Sequence, residues 1–185
     1  SRHISYSDNY CRMHPSQNDS ISIDAHGNCE FITIKDNDCE GISIASINTK
    51  IIGNTITANK GATALNIFQE INSDFYIIAD NNIVATVSDC FGFWASPSVS
   101  NLNIDTLQIN NNNIRTKDKG ILIQARGSSI TGSSINKLLI SNNDVKSDNF
   151  QPFVINSAQS VYTIKNIQSS NNLYHSYNYN AFVIT

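Results

Sequence analysis

The stretch IADNNI, residues 78–83, sets an apolar residue, a polar corner and a second apolar residue within six positions. The same corner recurs along the chain. An Asn, any residue, then an apolar residue or Cys appears at Asn9, Asn37, Asn54, Asn81, Asn112, Asn143 and Asn171. At five of these an Ile stands three residues earlier: Ile34, Ile51, Ile78, Ile109 and Ile140. The corners lie 27–31 residues apart, with a single interval of 17. Regular self-similarity at such a period marks a stacked-repeat architecture.

Two further apolar pulses belong to each repeat. One follows the Asn: SISIDA, GISIAS, ALNIFQ, FGFWAS, GILIQA, PFVINS and AFVIT. The other precedes it: EFITI, TKIIG, FYIIA, NLNIDTLQI, KLLI and VYTIKNI. Three short strands and polar corners per repeat predict an all-β, right-handed parallel β-helix of about seven coils of roughly 28 residues. Residues 1–185 form a single domain in this reading, a segment of a longer chain. Alternate side chains stack on their equivalents in the next coil. The corner Asn is expected to tolerate the left-handed backbone region and to hydrogen-bond from coil to coil. An antiparallel sandwich would instead show Asn-Gly or Asp-Gly hairpin turns, and the chain has neither dipeptide.

Composition narrows the function. Charged residues make up 15% and the net charge is -3. That is no footprint for nucleic acid or for an anionic membrane. No apolar run approaches the length of a membrane span. Cys11, Cys29, Cys39 and Cys90 have no zinc spacing, so they read as mostly buried free thiols and no metal or other cofactor is expected. Cys11 and Cys39 are expected to stack inward on adjacent coils.

Parity in the strands after the Asn separates inside from outside. The pairs Ile21/Ile23, Ile42/Ile44, Leu65/Ile67, Ile121/Ile123, Phe153/Ile155 and Phe182/Ile184 read as inward. Ser22, Asp24, Ser43, Asn66, Phe68, Trp94, Leu122, Gln124, Val154 and Asn156 read as outward, with His26 and Arg126 extending the row. A continuous lateral face of this kind suits an extended polymer. Asp24 and His26, in SIDAHGNCEF, share one side of a strand and can act as an acid/base pair. Glu70 is the best-placed second carboxylate, ahead of Glu40 and Asp89. His14, Asn66, Phe68, Trp94, Gln124 and Arg126 are candidate sugar contacts, with Trp94 as an exposed stacking platform.

The coil pattern resembles the pectate-lyase-like β-helix superfamily. The stretch SIDAHGNCEFITIKDNDCEGISI is most similar to phage tailspike and depolymerase β-helices. That resemblance implies recognition, and cleavage by hydrolysis or elimination, of a bacterial surface polysaccharide. It further implies a homotrimer carried on a virion tail or found extracellularly. The alternatives are a non-catalytic receptor-binding or structural shaft, and a bacterial polysaccharide lyase or C5-epimerase, whose D-P-H stretch DAH resembles with Ala25 in place of Pro. One fold hosts all of these chemistries.

Overall fold

In a computed structural model of the chain, the described residues are 3–13, 21–61, 63–95, 101–125, 132–156, 163–177, 179–180 and 182–184. They form three parallel sheets of seven strands each. The first sheet holds Ile4–Ser7, Ile32–Lys35, Thr49–Ile52, Ser73–Ala79, Asn103–Asn110, Ser134–Ser141 and Thr163–Ser170. The second holds Tyr10–Cys11, Asp38–Cys39, Thr55–Ala58, Asn82–Ala85, Asn113–Thr116, Asp144–Ser147 and Leu173–Ser176. The third holds Ile23–Glu30, Ile42–Ile47, Leu65–Gln69, Phe91–Ala95, Ile121–Ala125, Phe153–Asn156 and Phe182–Ile184. Each strand pairs with its equivalents one coil before and one coil after, so the protein is a parallel β-solenoid. The expected period holds in five turns of 27–31 residues, and one turn has 17. The short turn arises because only Glu40 and Gly41 separate the second-sheet strand from the third-sheet strand, and a single residue, Asn48 at φ 52°, then carries the chain into the first sheet. Phe31, at φ 54°, makes the same one-residue crossing one coil earlier, where a longer connection from the second sheet to the third restores the period.

The corner between the first and second sheets is built from two residues with separate tasks. The left-handed residue is the one before the ladder Asn: Asp8, Asp36, Gly53, Asp80, Asn111, Asn142 and Asn171, all at φ 54–69°. Asp, Asn and Gly carry the least penalty there. The ladder Asn follows with its amide turned inward. Asn112 is typical. Its Nδ2 donates to the carbonyls of Ile78 (3.0 Å) and Asn110 (3.0 Å) and to Oδ1 of Asn143 (2.9 Å). Its Oδ1 accepts from the backbone N–H (3.1 Å) and Nδ2 (3.0 Å) of Asn81.

This division corrects two sequence expectations. The ladder Asn does not itself adopt the left-handed conformation, because its side chain must reach into the turn. The last ladder member is Asn172, not Asn171: Asn172 Oδ1 accepts from Asn143 N–H (3.0 Å) and Nδ2 (2.9 Å). Asn171 is the left-handed residue before it. Tyr174 therefore takes the inward place that Val145 holds one coil earlier. Burial there pushes its phenol up to about 12.

The core is a set of in-register columns, such as Ile34, Ile51, Ile78, Ile109 and Ile140 in the first sheet. Each is at most 1% exposed. Burying a side chain of this size contributes roughly 1.5–3 kcal/mol. Tyr76 is the largest polar member; its hydroxyl donates to the Ser46 carbonyl at 2.6 Å and its ring meets Phe93 edge-on at 5.2 Å. Cys11 and Cys39 pair in register as expected, and all four cysteines are free. Cys39 and Cys90 are fully buried, while Cys11 and Cys29 are half-buried. Burial pushes the Cys39 thiol up to about 12.

Replacing Asn112 by Ala would leave the Asn81 N–H and the Ile78 carbonyl without partners inside a dry corner. Each buried group left unsatisfied costs about 1–3 kcal/mol. Urea unfolding of Asn112→Ala is expected to show a loss of ~3–5 kcal/mol. The exposed neighbour Asn113, changed to Ala, should stay within about 0.5 kcal/mol of the parent.

Candidate functional site

The first strand of the third sheet sets Asp24 and His26 side by side on its outer face. Asp24 pairs in register with Ser43 and His26 with Ala45. This register shifts the expected alignment by two residues: Ile23, not Ile21, stacks on Ile42. The reason is that Ile21 precedes the strand and is only half-buried. His26 consequently belongs to the column that runs through Ala45 towards Phe68, Trp94 and Gln124, rather than matching Arg126. The small side chain of Ala45 leaves room for the rings of His26 and Phe68 to approach to 6.5 Å. Directly after His26 the register slips against the next coil, with four residue steps facing two. Such bulges re-aim side chains and are frequent beside functional sites.

Asp24 Oδ1 lies 2.8 Å from His26 Nε2, and the two side chains are 63% and 49% exposed. Ser43 Oγ lies 3.0 Å from the same nitrogen. Sharing of Nε2 excludes a serine-hydrolase relay here, which needs the carboxylate and the hydroxyl on opposite nitrogens. With Asp24 and Ser43 both at Nε2, the carboxylate holds the tautomer in which Nε2 carries the proton. Nδ1 then carries the lone pair and can act as a base. It has no hydrogen-bond partner among the described residues. A cavity of about 410 Å³ adjoins the pair, bounded by Tyr6, Ser22, Cys29 and the first core isoleucines.

The other candidates are distributed differently. Glu70 is exposed at the end of Leu65–Gln69. It is two coils and four residues from Asp24, about 10 Å across the sheet and roughly 13 Å along it. That exceeds the roughly 5–9.5 Å of paired glycosidase carboxylates. Glu40 is committed elsewhere, accepting from the Met13 N–H at 2.9 Å. His14 and Arg126 lie outside the described residues.

Trp94 faces outward, as parity requires, but it is no open platform. It is 3% exposed and forms an outer apolar cluster with Leu122, Val154 and the half-buried Phe68. Its Nε1–H donates to Asn66 Oδ1 at 3.0 Å, which commits that amide as well. The indole lies across Gly92, where any Cβ would overlap it. The FGFW spelling carries the signal, since a Gly two residues before the Trp opens space on the same face. Gln124 is half-buried and in register with Trp94.

Asp89, weighed in the sequence as a spare carboxylate, is a structural group. Its Oδ1 accepts from the Lys119 N–H at 3.1 Å, and the Lys119 ammonium is 3.7 Å away. Desolvation outweighs that cation and raises its pKa. Compared with family models, with curated proteins and with solved structures, the chain matches none.

Trp94 is the sole tryptophan, so its fluorescence reads the outer cluster directly. Emission should be blue-shifted and nearly insensitive to iodide in the native state, turning red and quenchable on unfolding. Asp89 has a clear sign. A carboxyl whose folded pKa is raised costs stability above that pKa and is relieved as pH falls through it. Asp89→Asn keeps the acceptor for Lys119 N–H. Its thermal midpoint should exceed the parent's at pH 7, and the gap should close below about pH 4, where the unfolded carboxyl is protonated too.

Proposed function

We propose that this β-solenoid recognises and cleaves a bacterial surface polysaccharide, in the manner of phage tailspike and depolymerase β-helices of the pectate-lyase-like superfamily. The observation that carries this reading is the exposed Asp24–His26 pair at 2.8 Å on a lateral sheet face, beside a cavity. A solenoid face runs straight across its coils at about 4.8 Å per step, which suits an extended chain of repeating units. His26 is the acid/base group and Asp24 orients it, holding the imidazolium that forms on proton transfer.

Hydrolysis needs a second carboxylate, and elimination needs a cation opposite a uronate carboxylate. In this reading that group is supplied by an adjacent subunit of a homotrimer, across a groove between chains, on a virion tail or an extracellular protein. A second reading, a non-catalytic receptor-binding shaft, is favoured by the distance of Glu70 from Asp24.

Mass spectrometry of a panel of bacterial surface glycans after incubation with the protein tests both. Released oligosaccharides are expected from the parent. Asp24→Asn and His26→Ala should lower release at least 10²-fold, the usual scale of general acid–base catalysis, with the thermal midpoint unchanged. Unsaturated ends mean elimination, hydrated ends hydrolysis, and inverted C5 stereochemistry without cleavage an epimerase. Full release by both variants sinks the site. Glycan binding with no product gives the shaft.

A further inference from the structure

The chain is acidic overall, yet the outer face of the second sheet gathers positive charge. Arg115 pairs in register with Lys146, and Lys146 with His175. Three basic side chains thus stand in one column on successive coils, about 4.8 Å apart. Like charges directly opposite across paired strands repel. Asp144 answers the outer two: its Oδ2 holds Arg115 Nη2 at 2.5 Å and its Oδ1 lies 4.0 Å from His175 Nε2. Lys146, between them, has no ion pair among the described residues. Its ammonium instead sits over the Tyr177 ring, 5.5 Å from the centroid. Tyr177 is 72% exposed. A cavity of about 440 Å³ opens here, bounded by Arg115, Lys146, Tyr174, His175, Ser176 and Tyr177. A second of about 210 Å³ shares Arg115 and Lys146 and continues the groove across the coils.

An ammonium with no carboxylate partner, set between the Arg115 guanidinium and the His175 imidazole, is complemented by a bound oxyanion. An exposed ring beside it offers an apolar face to the C–H surface of a sugar. We propose that this groove is a binding site for an anionic sugar unit, its oxyanion set over Lys146 with Arg115 at its flank and its ring against Tyr177. Nucleic acid fits less well, because a phosphate backbone calls for a longer basic tract than three residues in a chain of net charge -3. The choice of a glycan as carrier rests on the reading above; the oxyanion site stands on its own geometry. The site is separate from Asp24 and His26, on a different sheet.

Isothermal titration with a four-residue oligouronate, the same oligosaccharide with its carboxyls reduced, and sodium sulfate tests the inference. The acidic tetramer should bind and weaken as salt rises. Carboxyl reduction, Lys146→Gln and Tyr177→Ala should each weaken it at least tenfold, with thermal midpoints unchanged. Equal affinity for the reduced tetramer, no binding of the acidic one, or parental affinity in either groove variant would overturn the site. Sulfate binding as tightly as the tetramer would overturn the sugar and leave a plain anion site. Glycan cleavage dependent on Asp24 without tetramer binding would end this inference alone, and tetramer binding without cleavage of any glycan would end only the catalytic reading.

Discussion

The asparagine ladder is the interaction on which the remainder of the structure depends. At each turn between the first and second sheets the backbone bends too sharply for its carbonyls and N–H groups to satisfy one another. A buried peptide group without a partner is costly. One inward amide meets the need, donating to carbonyls of its own coil and the preceding one while accepting from the preceding Asn. Because each amide bonds the next, the corners align one above another. Sheet register follows from that alignment, and with it the stacking of Ile on Ile through the core. The 17-residue turn shows how strict this is. The chain can shorten its connections, as it does at Glu40 and Gly41 and again at Asn48, and the ladder still runs through Asn37, Asn54 and Asn81 without a break.

Register also decides what the outside can do. In-register stacking lines up every outward side chain with its counterpart one coil away, so chemistry appears as columns. On the third sheet the column through His26 changes character within two coils. It starts with an exposed imidazole over Ala45 and becomes an apolar cluster at Phe68 and Trp94. The Asp24–His26 pair is thereby confined to one end of that face. On the second sheet the columns stay open, and Arg115, Lys146 and His175 are held close by the same backbone pairing that brings the isoleucines together inside. Solenoid geometry thus holds the like charges of Arg115 and Lys146 closer than a free surface would.

Much of this was legible in the sequence. The period, the three strands per coil, the parallel pairing and the inward columns are consequences of where Asn and Ile recur, since strand parity and corner chemistry act locally. The adjacency of Asp24 and His26 was legible for the same reason: two residues apart on a strand share a face. The left-handed corner was legible only in part. A run such as Asn111–Asn112–Asn113 offers three candidates for two roles, and composition cannot say which amide turns inward. The same ambiguity hid Asn172 behind Asn171.

Tertiary structure alone decided the rest, because it depends on contacts between coils whose offset no single strand encodes. Whether Ile21 or Ile23 stacks on Ile42 is a choice between two positions of equal parity, settled by where the first strand of the third sheet begins. Parity gave Trp94 an outward direction but not its exposure; the glycine beneath it and the amide of Asn66 lay it down against the sheet. Glu70 follows the same outward row as Asp24, yet two coil steps and four residues separate them. The column of Arg115, Lys146 and His175 is spaced by about thirty residues at each step in the chain. Only stacking of the coils brings those side chains next to one another.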